Sequence, residues 1–346
     1  MKSLALLVAL LSATPMPAKP LKVFVLAGQS NMEGKVKRGL LDHQATAPET
    51  RELFAHLRDQ DEWLERDDVF VKFLGKKGPL TVGFGSGECS GVELEFGQVL
   101  GDHFEAPVLL IKTAWGGHSL YKDFRPPSAG IPEQRIRAEL EQATRRVEES
   151  NRKNGKSDPM PREEDIRAAY GRSYLKLVSE VATTLSELDT LFPELAGAEP
   201  ELAGLVWFQG WNDQYQGAEA EYASNLGHLI RDLRRDLAAP DLPVVIGVMG
   251  QNMSQEAKGP MLTIQEAQLS MEQVPEFAGT VKAVRTDLLV DQAAEALYPE
   301  WRERFDEWEK VGSDRPYHYL GSAIWHLRMG RAFGEAMIGM LGTPAE

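Results

Sequence analysis

Ser30 stands in Gly28-Gln29-Ser30-Asn31-Met32, directly after an apolar, β-branched run at residues 23–27. A buried strand that ends in glycine and polar residues delivers such a serine to a sharp turn, where its hydroxyl can be presented as a nucleophile. The residue two after Ser30 is Met32, so this is not the Gly-x-Ser-x-Gly elbow of α/β-hydrolases. A serine hydroxyl also needs a base for its proton and donors for the developing oxyanion. Of the seven histidines, His56, His103 and His228 fall in helical patterns, His43 in a polar stretch, and His326 inside the last helical pattern. His118 follows Trp115-Gly116-Gly117. His318 lies in a loop containing Pro316, from which an imidazole can be aimed at a serine, and is the expected base. The candidate amide donors are Asn212 and Gln209, in Gln209-Gly210-Trp211-Asn212-Asp213, with Asp213 expected to cap the helix that follows. Gly91, ahead of another helical pattern, could expose its backbone N–H. No two histidines have metal-ligand spacing, so no metal site is expected.

These residues need elements to hold them. Strand-like apolar runs occur at residues 22–27, 69–74, 107–112, 204–208, 243–248 and 281–284. Helical patterns at 93–103, 173–191, 218–237, 261–272 and 319–340 lie between most of them. This alternation predicts a parallel sheet covered on both faces. Ligands bind such sheets at the carboxyl ends of the strands. The turns carrying Ser30, Gly117 and Asn212 all fall at that edge.

The 346 residues suit one large domain, expected over 21–342 with insertions at about 35–68 and 131–170. The second insertion mixes acidic and basic side chains at i,i+4 spacing, as in an exposed helix. Its simplest reading is a solvated excursion, the other a partner-binding arm or lid. Lys2, an apolar stretch at 4–11 and small residues to Ala18 read as a secretory signal peptide over 1–18, too short to span a bilayer. A net charge of −14 argues against nucleic acid and anionic membranes as partners. Cys89 is the one cysteine, so no intrachain disulfide forms.

Gly28-Gln29-Ser30-Asn31-Met32, Gly91, Gly210-x-Asn212-Asp213 and a late His318 resemble the blocks of the SGNH (GDSL-like) hydrolases. The first block, combined with Trp115-Gly116-Gly117 and Trp207-Phe208-Gln209-Gly210, more closely resembles the sialate O-acetylesterase and acetylxylan esterase branch. The resemblance spans roughly residues 21–340. It implies a three-layer α/β/α, flavodoxin-like fold and a cofactor-free enzyme whose partner is an acetylated carbohydrate; the signal-peptide pattern places it outside the cell or in the periplasm. Carried over, Ser30 is the nucleophile and His318 the base. The N–H groups of Ser30 and Gly91 form the oxyanion hole with Asn212, by the wider family's pattern, or Gln209, by the branch's. Gln29, Trp115, Gly117, His118 and Trp211 are expected to contact substrate. The chain departs from the pattern twice. Where the branch commonly has glutamate there is Trp211, and three residues before the histidine, where many members have aspartate, there is Arg315. Asp314, four before, is then the expected third member, with a backbone carbonyl as the alternative. Those departures motivate a second reading, a non-catalytic glycan-binding module; a third is an esterase for another small ester.

Overall fold

The computed structural model describes residues 20–342; the expected signal peptide lies outside them. Seven strands form one sheet: β1 (Pro20–Gly28), β2 (Val69–Phe73), β3 (Lys76–Pro79), β4 (Val108–Ala114), β5 (Glu199–Phe208), β6 (Val244–Val248) and β7 (Val281–Arg285). Their order is β3-β2-β4-β1-β5-β6-β7. Every pairing is parallel except β2 with β3. The connecting elements used below are α1 (Ser30–Glu33), α2 (Glu93–His103), α3 (Glu133–Asn154), α4 (Arg172–Ser186), α5 (Tyr222–Asp236), α6 (Pro260–Ser270) and α7 (Ala323–Leu341).

β1 shows why the sheet is covered twice. Successive side chains of a strand point to opposite faces. Leu21, Val23, Val25 and Ala27 join one core with residues of α4, α5 and α6. Phe24 and Leu26 join a second core with α2 and α7. The fold is therefore a three-layer α/β/α arrangement with a mostly parallel sheet. β1 lies between β4 and β5, and the chain crosses from one side of β1 to the other there. The crevice at the carboxyl end of β1 is thus the switch point at which such sheets bind ligands.

The excursion after α1 makes its own small core, with Leu40, Leu41, Phe54 and Trp63 packed against Leu94 of α2 and Leu327 of α7. β3 is not apparent in the sequence, because its Lys-Lys-Gly-Pro has neither alternation nor apolar content. It sits at the sheet edge, where one face of pairing and exposed lysines are tolerated. The final helix begins at Ala323 rather than Tyr319, because Tyr319 and Leu320 have φ of 52° and 59°.

Among the described residues no helix is long and apolar enough to cross a membrane.

Candidate active site

β1 ends at Gly28, where only glycine fits: a Cβ would lie 2.1 Å from the carbonyl oxygen of Phe208. Ser30 then opens the single turn α1, 7 % exposed. Its Oγ and its backbone N–H have no hydrogen-bond partner among the described residues.

Three turns close around it. Gln29 Oε1 accepts from the N–H groups of Gly210 and Asn212 at 3.2 and 3.4 Å, and its Nε2 donates to Asn212 Oδ1 at 3.3 Å. Asn212 Nδ2 donates to Gly117 O at 2.6 Å. A Cβ on Gly116 would stand 3.7 Å from Ser30 Cβ, so the β4 turn approaches the serine directly. Glu33, on α1, locks that turn by accepting from Gly116 N at 2.8 Å, while Lys35 neutralises its other oxygen at 2.7 Å. The N–H of Gly117 makes no hydrogen bond among the described residues.

The fourth wall is the His318 loop. Asn31 Nδ2 donates to Tyr317 O at 3.1 Å, which joins this loop to α1. The left-handed Tyr319 and Leu320 fold the loop back, with Ser313 N and Asp314 N donating to Leu320 O at 2.8 and 3.0 Å. Such backbone is costly for non-glycine residues and persists only where surroundings enforce it. Here Tyr319 is fully buried and its hydroxyl accepts from Gly250 N at 3.0 Å. The result is that His318 Nδ1 lies 2.8 Å from Asp314 Oδ2. Partial burial pushes the Asp314 carboxyl up, but the bonds from His318 and from Arg315 N, with the charges of His318 and Lys37, hold it below its ordinary value. Trp211 stands beside this loop, its ring 6.0 Å from that of Tyr317.

Several expected site residues are placed elsewhere. Gly91 sits at the far end of α1 from Ser30, against Gly34, and its N–H donates to Glu93 Oε1 at 2.9 Å. It therefore has no hydrogen left for an oxyanion. The Gln209 amide is used up in the interior: Nε2 donates to Asp213 Oδ2 at 2.6 Å and to His118 O at 3.1 Å, and Oε1 accepts from Tyr222. Of the two candidate amides, Asn212 is the one at the serine. His118 turns away towards α4, with Nδ1 2.6 Å from Ser173 Oγ. Trp115 packs beside Phe124, with the Lys176 ammonium 4.7 Å above its ring. The contacts of both run to Phe124 and α4. Asp213 does not cap α5; it is buried and accepts from Leu120 N and Tyr121 N at 2.9 and 2.7 Å.

Asp213 makes a pH-dependent contribution. Burial pushes its carboxyl from 3.8 up to about 6, against the opposing bonds from Gln209, Leu120 and Tyr121. The folded state thus takes up this proton at higher pH than the unfolded chain, so the group's stabilisation is present in acid and lost as pH rises from about 4 to about 6. Urea denaturation across that window should show the stability of wild type relative to Asp213→Asn falling as pH rises. A difference that stays flat would contradict the raised value.

Sequence reasoning missed Gly116, Glu33 and a buried ion pair below α1. Lys112 Nζ lies 2.9 Å from Glu93 Oε2, both side chains fully buried, and donates to Glu33 O at 2.9 Å and Phe84 O at 2.7 Å. The signal was a lysine in the middle of an apolar strand, which requires a partner. Among the described residues there is no cluster of three or more His, Cys, Asp or Glu that could hold a metal.

A family model described as carbohydrate esterase, sialic acid-specific acetylesterase, matches residues 20–294, ending before the His318 loop. Among solved structures, a protein from Arabidopsis thaliana aligns with a TM-score of 0.50 at 14 % identity, covering 93 % of this chain and 98 % of its own. A carbohydrate acetylesterase from Xanthomonas citri aligns with a TM-score of 0.40 at 14 % identity, over 78 % of this chain and 50 % of its own. NanS aligns with a TM-score of 0.43 at 15 % identity, over 80 % of each. No curated protein matches the chain significantly.

Proposed function

The chain belongs to the sialic acid-specific acetylesterase family of carbohydrate esterases, and we propose that it removes acetyl groups from sugar hydroxyls through a Ser30–His318–Asp314 acyl-enzyme mechanism. The observation that carries this reading is the 2.8 Å contact of His318 Nδ1 with Asp314 Oδ2, on a loop tied by Asn31 to the serine's own turn. A carboxylate on Nδ1 fixes the tautomer that leaves Nε2 free to act as base, and stabilises the imidazolium once it forms. The Asp314 contact supports this reading over a non-catalytic glycan-binding module, which was motivated by the missing carboxylates at Trp211 and Arg315.

Each step follows from that arrangement. His318 Nε2 takes the Ser30 proton as Oγ attacks the acetyl carbon. The oxyanion is met by the free N–H groups of Ser30 and Gly117 and by the second hydrogen of Asn212 Nδ2. Each such donor is worth about 10²–10³ in rate. His318 then protonates the departing sugar oxygen, leaving acetyl-Ser30. Water, deprotonated by His318, releases acetate and restores the serine. Gln29 sets the turn and Trp211 offers an indole wall for the sugar. The leader at 1–18 adds secretion or export to the periplasm to this reading.

Acetate release from a panel of acetylated sialic acid, xylan and pectic substrates tests it, with Asp314→Asn as control. We expect at least one sugar ester to be cleaved, and the variant to lose roughly 10²–10⁴ in kcat. Absence of release from every sugar ester, with aryl acetates still cleaved, would point instead to another small ester.

A further inference from the structure

α3 has 22 residues, of which Ile136 alone is buried. It does not stand free in solvent. Its first turns are pinned beside the active site: Arg135 pairs with Glu221 and lies 4.2 Å over the Tyr121 ring, and Glu139 accepts from Lys122 at 2.6 Å and from the Tyr170 hydroxyl. The i, i+3, i+4, i+7 stripe Glu139, Gln142, Ala143 and Arg146 then lines a cleft of 580 Å³. The opposite rim includes Gly117 and Asn212, the residues that close the ring around Ser30, and continues to Tyr215 and Gln216. The cleft therefore borders the turns that surround Ser30, and its volume is that of a ligand site.

Its chemistry is that of a carbohydrate surface. The stripe on α3 is polar where a packing helix would be apolar. The amides of Gln142 and Gln216 and the Arg146 guanidinium have no protein partner among the described residues. They offer donors and acceptors to hydroxyl groups. Tyr215 is 54 % exposed, a large aromatic face left uncovered at the cleft, and such a ring suits the C–H face of a pyranose.

We propose that this cleft is a subsite for the sugars attached to the acetylated residue, so that the enzyme acts on acetylated oligosaccharides or glycan chains in preference to free monosaccharides. The proposal rests on Ser30 being the reacting group. The insertion at 131–170 is then a wall built onto the catalytic domain.

The test compares two pairs of substrates: O-acetyl N-acetylneuraminic acid against O-acetyl sialyllactose, and an acetylated xyloside against acetylated xylotriose. We expect kcat/KM to favour the longer member of at least one pair by about tenfold or more, through KM. Tyr215→Ala and the double variant Gln142→Ala/Arg146→Ala should abolish that preference and leave p-nitrophenyl acetate hydrolysis unchanged. Equal kcat/KM within both pairs, or a preference that survives both variants, overturns the subsite. If no ester is cleaved, the acyl-enzyme reading fails separately. Calorimetric titration with sialyllactose and xylotriose then decides the cleft: binding weakened by Tyr215→Ala supports it, and no binding of either overturns it.

Discussion

Ser30→Ala lowers kcat/KM for acetyl ester hydrolysis by roughly 10⁴–10⁶ while leaving the protein as stable as before. The two halves of this outcome come from different features of one side chain. The activity falls because the variant removes the hydroxyl presented at the turn bounded by Gln29, Gly116 and Asn212. The stability holds because Ser30 Oγ has no hydrogen-bond partner among the described residues. Removing it therefore leaves no buried group unsatisfied, which is the usual source of loss on truncating a polar side chain. The oxyanion N–H groups remain, so the loss should fall on kcat rather than on KM, with residual turnover above that in water. Steady-state kinetics with p-nitrophenyl acetate and a thermal melt decide the matter. A variant that is inactive because it is unfolded, or one that retains normal turnover, contradicts the expected pattern.

Lys112→Met destabilises the fold by about 3–5 kcal/mol. The pair with Glu93 is fully buried, so removing the ammonium strands a carboxylate in the core and leaves the carbonyls of Glu33 and Phe84 without their donor. Burial is the main influence driving the Lys112 pKa down, and Glu93 is the main one opposing it, with smaller contributions from Lys76 and Glu33. The double variant Lys112→Met/Glu93→Gln should recover much of the loss, because no unpaired charge remains and glutamine can still accept from Gly91 N. Urea denaturation measures both. A loss below about 1 kcal/mol in the single variant, or no recovery in the double, would mean that the pair does not hold the floor of α1 in place.

The strands of this protein could be read in its sequence because each buried strand is a continuous apolar run and each active turn interrupts one. That pattern located Ser30, Gly117 and Asn212 at one sheet edge before any coordinates. Asp314 is expected only through the family resemblance, with a backbone carbonyl as the alternative, and the two residues four apart meet at 2.8 Å in the loop containing Pro316. What could not be read was which N–H groups are already used. Gly91 and Gln209 look as available as Gly117 and Asn212 in one dimension. Only the three-dimensional partners, Glu93 for one and Asp213, His118 and Tyr222 for the other, take them out of play. Trp115 and His118 were hard to place for a related reason: a turn at the right edge has an inner and an outer side, and the contacts that orient these two come from Phe124, a few residues on, and from Ser173, far along the chain. The i,i+4 charge pairs of α3 marked an exposed helix, but they did not show that its face carrying Glu139, Gln142 and Arg146 lines a cleft shared with Gly117 and Asn212.

The account stands on Ser30 being a nucleophile activated by His318. Labelling with a fluorophosphonate, followed by peptide mass spectrometry, tests this most directly, because the reagent bonds covalently to a serine whose proton a neighbouring base can take. We predict one adduct per chain, on Ser30, formed at a rate that drops by orders of magnitude in His318→Ala. An unmodified Ser30 in folded wild-type protein, or equal labelling with and without His318, would contradict it.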